Sequence, residues 1–254
     1  MKKRFFTYLL FAASISVLPV FYSYAQTVTV SFEKADVNGD NRVDISDVVA
    51  VINFMAFGSL NDAAVNEGYC PDSNHPHVID MGVAGKWACC NVGASAPWEY
   101  GGYYSWGETK EKSTYDWSSY IHCKGSYETC YDLGSDIAGT DYDVARVQWG
   151  VSWNIPSFYQ IKLLLSNCSS KWTEINGING VKFTASNGNR IFLPAAGNRL
   201  NDNKGFVGSN CYYWSSTQYP SYSYNAYGLH CNSDKTEWYY YTRNRGFSVR
   251  PVTE

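Results

Sequence analysis

The chain of 254 residues is poor in charge and in histidine. Charged residues make up 17% of it, and the histidines are His75, His77, His122 and His230. GxSxG, HExxH and CxxC are all missing. That removes the usual signatures of an α/β-hydrolase nucleophile, a zinc protease and a thiol-redox or zinc site. The carboxylates Glu99, Glu108 and Glu111 are scattered, with no fixed spacing for paired acid–base work. His122 is followed by Cys123, but in an oxidising compartment a disulfide suits that cysteine better than a nucleophilic role. No enzyme is expected from these residues. No apolar run after Val20 is long enough to span a bilayer. Basic excess is also lacking: the net charge is −3, which argues against nucleic acid or an anionic membrane as partner.

What the chain has in abundance is tyrosine. Nine of its 22 tyrosines lie between Tyr212 and Tyr241, and Tyr219 to Tyr227 contains no Val, Ile or Leu. Tyrosine supplies rigid, amphipathic contact area at low entropic cost, and Ser and Asn supply adaptable hydrogen bonds, the composition of binding loops. A buried strand is the competing reading, since aromatics also favour sheets. Core strands, however, draw mainly on Val, Ile and Leu. The ends of the segment, Tyr213-Trp214-Ser215-Ser216 and Gly246-Phe247-Ser248-Val249-Arg250-Pro251-Val252, read as framework around an exposed middle.

Residues 1–25 read as a secretory signal: Lys2-Lys3-Arg4 form the charged region, Phe5 to Val20 the apolar core, and Ser23-Tyr24-Ala25 the cleavage site. Loss of the leader would remove three of 20 basic residues, leaving 17 against 23 acidic, a net −6. The expected protein is secreted or on the cell surface, with no membrane span after cleavage. Eight cysteines permit up to four disulfides, and spacing leaves the connectivity open. Cys123 and Cys130 could close a short loop, and Cys211 and Cys231 could staple the base of the tyrosine-rich segment.

Residues 26–59 hold a candidate calcium loop. Counting from Asp36, side-chain oxygens fall at positions 1, 3, 5, 9 and 12, from Asp36, Asn38, Asp40, Asp44 and Asp47, with the carbonyl of Arg42 at position 7. A calcium ion takes six to eight oxygens, which a tight loop can point inward. Val48, Val51, Ile52 and Met55 follow at helical spacing. The unit resembles a dockerin repeat, and only one repeat is present. That resemblance implies Ca2+ as cofactor and a cohesin-like partner. Residues 60–76 read as a linker rich in turn formers.

Residues 77–254 form the second module. Val78 to Val83 and Lys86 to Gly93 read as two short strands. Thr109 to Gly139 reads as a long irregular loop. Asp141 to Trp149 reads as a short helix with Val144, Ala145 and Trp149 inward. A second helix begins at Ser157, a cap paired with Gln160 in a capping box, with Ile161, Leu164 and Leu165 buried. Val181–Thr184 and Arg190–Pro194 read as strands joined through Asn187-Gly188.

Six motifs occur in order: WACCNVGA, YYSWGET, ARVQWGVSWNIPS, IFLPAAGNR, YYWSS and GFSVRPV. Together they resemble the Fibrobacter succinogenes major paralogous domain family over about 175 residues. The resemblance implies an α+β, C-type-lectin-like fold with two helices and short twisted strands. It also implies kinship with variable proteins diversified by retroelements, whose last segment changes while the flanking scaffold stays. On that basis the ligand surface would comprise Tyr219, Ser221, Tyr222, Ser223, Tyr224, Asn225, Tyr227, His230, Asn232, Ser233, Asp234, Trp238, Tyr239, Tyr240 and Asn244. Arg250 would brace the core. The expected function is recognition of a cell-surface protein or glycan. The alternative is a dockerin-bearing, polysaccharide-binding subunit of an extracellular carbohydrate-degrading assembly.

Overall fold

A computed structural model describes residues 77–254; the leader, the calcium loop at 36–47 and the linker lie outside the described residues. In chain order the elements are β1 (Val78–Asp80), β2 (Lys86–Ala88), α1 (Val144–Trp149), α2 (Phe158–Asn167), β3 (Cys168–Ile175), β4 (Ile178–Ala185), β5 (Arg190–Pro194), β6 (Asn198–Leu200), β7 (Asn203–Gly205), β8 (Cys211–Gln218), β9 (Asn225–Cys231), β10 (Thr236–Thr242) and β11 (Val252–Thr253). The strands form four small sheets, ordered β1-β2-β11, β3-β4-β5, β6-β7 and β10-β9-β8.

This corrects the expected fold class. Strand accounts for 38% and helix for 12%, so the architecture is mainly β rather than an α+β, C-type-lectin-like domain. Among the described residues α-helix is confined to one six-residue and one ten-residue segment. Elsewhere buried residues alternate, as at Val181, Phe183 and Ala185 in β4, and short turns fold successive strands into antiparallel ladders. The strand β3 was not expected, because its mostly exposed sequence carries no alternation. Its signal was Asn176-Gly177, which joins it to β4 with both residues at positive φ, 50° and 77°.

The two helices start where their caps dictate. The buried Asp143 carboxylate accepts from the backbone N–H of Ala145 (2.9 Å) and Arg146 (3.2 Å), and also from Ile155. The capping box at Ser157 and Gln160 is complete. Ile161 and Leu164 of α2 are buried, with Leu165 half-buried against the same core. The Asn187-Gly188 turn joins β4 to β5, and Asn187 and Asn189 donate to the carbonyl of Asp80 at 2.9 and 2.8 Å.

The sheet β8–β10 serves two cores. Along β8, Cys211 and Tyr213 enter a core with Ile161, Phe183 and Leu193, and Tyr212 and Trp214 enter another with Trp106, Phe247 and Val249. Burial on both faces explains the unbroken run Cys211-Tyr212-Tyr213-Trp214. β10 is an edge strand, so its side chains have a strand on one flank only.

Between β2 and α1 the chain is irregular and is held by tyrosine hydroxyls. Tyr120 donates to the Trp106 carbonyl (2.7 Å), Tyr115 to Tyr103 (2.6 Å) and Tyr103 to Ala196 (2.7 Å). The expected Cys123–Cys130 disulfide closes part of this loop.

Candidate recognition surface

The tyrosine-rich segment hangs on a frame made by the C-terminal tail. Tyr104 and Phe247 exchange backbone hydrogen bonds at 2.9 and 3.1 Å, Trp214 N–H donates to Ser248 (3.1 Å), Val92 to Val249 (3.0 Å) and Ala88 to Pro251 (2.8 Å). The indole of Trp214 donates to the Tyr104 carbonyl (2.8 Å) and that of Trp106 to the Ser215 carbonyl (2.9 Å). The buried Arg250 guanidinium donates to Asn91 Oδ1 (2.9 Å) and to the carbonyls of Ala88, Cys89 and Phe192. It therefore braces the core, and burial pulls its pKa down from the ordinary guanidinium value.

Between β8 and β9 the chain makes a tight turn. Tyr219 N–H donates to the Asn225 carbonyl and Asn225 N–H to the Tyr222 carbonyl, both at 2.9 Å. Two rows of rings project here. Tyr219 stacks on Tyr240 at 4.1 Å between centroids, and Tyr240 on Tyr239 at 4.6 Å. Tyr227 stacks on Phe158 of α2 at 3.9 Å with the planes 7° apart, and Trp238 meets both edge-on. Tyr222 leans on Tyr219 and Tyr224, and Tyr224 meets Tyr127, which lies inside the Cys123–Cys130 loop. Register places Tyr240 directly opposite Tyr227 across the β9–β10 ladder, with Trp238 on the diagonal.

The expected site residues separate into two groups. Ser221, Tyr222, Ser223, Ser233, Asp234, Trp238 and Tyr239 are exposed; Tyr219, Tyr224, Tyr227, Asn232 and Tyr240 are half-buried. Asn225, His230 and Asn244 lie beneath the surface. His230 stacks on Tyr212 at 4.9 Å, and its ring nitrogens face Asn210 Nδ2 (2.8 Å) and Glu237 Oε1 (3.3 Å), so it supports the sheet from below. Asp36, Asn38, Asp40, Arg42, Asp44 and Asp47 lie outside the described residues. Among the described residues no group of three or more His, Cys, Asp or Glu could hold a metal ion.

The sequence reading missed Phe158 and Tyr127, which join the surface from other parts of the chain, and Arg243, which positions it. Arg243 is fully buried. Its guanidinium donates to the carbonyl of Ser223 (2.7 Å), to Tyr120 Oη (2.8 Å) and to the carbonyl of Tyr131 (3.2 Å), and it lies 4.8 Å from the Trp106 ring. One cation thus ties the tyrosine turn and the disulfide loop to the same frame. The available signal was a charged residue amid aromatics, which spacing alone could not separate from a solvated arginine.

The surface is uncharged over a long stretch: Gly205 to Ser233 contains no Lys, Arg, Asp or Glu. Its hydrogen bond with Tyr239 raises the pKa of Tyr240, and partial burial raises that of Tyr227. Beside Trp238 an open groove of about 660 Å³ runs between α2 and β10, lined by Tyr159, Lys162, Leu163, Leu165, Thr236 and Glu237 among others.

A sequence-family profile described as a domain of unknown function (DUF8237) matches residues 151–252. That span includes α2 and the whole tyrosine-rich segment with its C-terminal frame.

 It begins after α1, so α2 is the helix it takes in. No curated protein and no solved structure matches the chain.

Proposed function

We propose that residues 77–254 form an exported recognition module that binds a protein or glycoconjugate on a cell surface through the rings of Tyr219, Tyr222, Tyr224, Tyr227, Trp238, Tyr239 and Tyr240. The observation that carries this is the uncharged cluster of stacked, partly exposed aromatic rings on a rigid frame. Rings already held by one another lose little freedom when a partner covers them. Their hydroxyls and the neighbouring Ser221, Ser223 and Asn232 supply polar contacts around the apolar faces. The resemblance of the six ordered motifs to the Fibrobacter succinogenes family supports the same reading. It also supports the proposal that the exposed side chains vary by retroelement action while the buried frame stays.

The test is to screen the full chain against cell-surface proteins and a glycan array, with Tyr219→Ala/Tyr240→Ala as the paired control. Binding that the double variant loses while its circular dichroism is unchanged supports the proposal. Ligands that bind the variant equally well refute this surface as the site. Sequencing the 3′ end of the gene through a growing population tests variation: changes confined to the codons for Tyr219 to Asn244 are expected, and an unchanging segment refutes diversification.

The second reading is a polysaccharide-binding subunit that docks through the single dockerin-like repeat. It is favoured by Trp238 and Tyr239, 44% and 48% exposed on an edge strand, where ring faces can stack on sugar faces. Capture of the chain by a cohesin, dependent on calcium, together with retention on a neutral polysaccharide would select this reading over the first.

A further inference from the structure

Cys211 and Cys231 lie directly opposite each other at the open end of the β8–β9 ladder, the end away from the connecting turn. Residues so paired in an antiparallel ladder have Cα atoms about 4.5–5.5 Å apart and point to the same face. That separation is inside the range of about 4.4–6.8 Å which a disulfide spans. Both side chains are fully buried in the core beside Leu193 and Tyr213. As thiols they are in contact: burial first, and then the hydrogen bond with Cys211, push the Cys231 thiol well above its ordinary value. The Cys211 Sγ–H donates to the Leu193 carbonyl at 3.3 Å. One disulfide, Cys123–Cys130, is already formed in the same domain.

We propose that Cys211 and Cys231 are the site of a second disulfide, which closes the segment between them, with its exposed tyrosines, into a covalent loop. The oxidant is a low-molecular-weight disulfide such as oxidised glutathione, or the catalytic disulfide of an oxidoreductase. One cysteine thiolate attacks that disulfide, forming a mixed disulfide and expelling one thiolate. The second cysteine thiolate attacks the protein sulfur of the mixed disulfide and expels the other. Two protein thiols are oxidised to one disulfide, one disulfide of the oxidant is reduced to two thiols, and the two cysteine protons end on the departing thiolates. Because both sulfurs are buried and the Cys231 thiol is held protonated once the core closes, the exchange takes place while β8 and β9 assemble. The S–H···O bond to Leu193 is given up, a small loss beside the restriction of the unfolded chain. That the loop carries the binding surface rests on the reading above; the cross-link itself does not.

Peptide mapping of the full chain, refolded in a glutathione buffer and alkylated after denaturation, decides the matter. No Lys or Arg lies between Lys204 and Lys235, so one tryptic peptide, residues 205–235, holds both cysteines. The expected peptide takes up no alkylating reagent and is lighter by two hydrogens than the reduced form, and after chymotryptic cleavage its Cys211 and Cys231 fragments stay joined until reduction. Alkylation of both cysteines, or pairing of either with a different cysteine, overturns the proposal. Oxidant added after folding is expected to act far more slowly than oxidant present during refolding, and equal rates would overturn the account of when the bond forms. In a Cys123→Ala/Cys130→Ala background, reduction is expected to lower Tm by roughly 6–12 °C; no shift would show that the bond does not lock the sheet. If the cross-link and the Tm shift are found but ligand binding is indifferent to reduction, the disulfide stands and it is the recognition reading that loses support.

Discussion

Replacing Arg243 by Met isolates the link between frame and surface. The change removes donors from two backbone carbonyls, Ser223 and Tyr131, and from the Tyr120 hydroxyl, together with the ring contact to Trp106. The carbonyls cannot leave with the guanidinium, and each part-buried bond lost to this charged donor costs about 1.5–3 kcal/mol before water replaces it. Against that stands the regained cost of holding a cation out of water, which is several kcal/mol before compensation. Methionine fills part of the space of the side-chain stem. The balance is a net loss of about 2–3 kcal/mol, a sizeable share of the roughly 5–15 kcal/mol that stabilises a domain. Urea unfolding followed by tryptophan fluorescence measures it, with Arg243→Lys as a partial rescue because one charged donor remains. The Ser223 turn and the segment at Tyr131, next to the disulfide, should also loosen together, seen as faster amide exchange in both. A loss below about 1 kcal/mol, or exchange that changes in only one of the two segments, would refute the idea that a single cation holds them.

Three further outcomes are expected. Tyr222→Ala/Tyr224→Ala should shift the urea midpoint by no more than corresponds to about 1 kcal/mol, since Tyr222 is 48% exposed and Tyr224 is only half-buried; a larger loss in equilibrium unfolding would mark the turn as framework. At alkaline pH the domain should weaken. Burial pushes Tyr103 and Tyr115 up to about 12, so above pH about 10 the unfolded chain loses phenolic protons that the folded chain keeps, and stability falls as pH rises through that window. Denaturant midpoints across it should fall less steeply for Tyr103→Phe than for the parent chain. Finally, calorimetric titration of the full chain should show one Ca2+ site whose affinity Asp40→Ala reduces by roughly tenfold or more; unchanged affinity would remove the 36–47 loop as the ligand set.

Much of the domain's outline is legible in the chain. Local chemistry is enough to place α2, because Ser157 and Gln160 cap it and Ile161 and Leu164 give it a buried face. It is enough to place the β4–β5 turn, because Asn187-Gly188 accepts the backbone angles that a tight reversal demands. The tyrosine density between two framework motifs likewise marks the candidate surface. Tertiary structure decided the rest. An edge strand such as β3 shows little hydrophobic pattern, since most of its side chains face solvent. Whether Asn225, His230 and Asn244 lie above or below the surface depends on which side of a twisted sheet each faces, and on the residues that cover it. Phe158, Tyr127 and Arg243 reach the surface across separations in sequence that no local spacing encodes. The same holds for the fold class. Two short helices are visible in the sequence, but their weight against four small sheets is set by which strands find partners, and pairing is a property of the assembled chain.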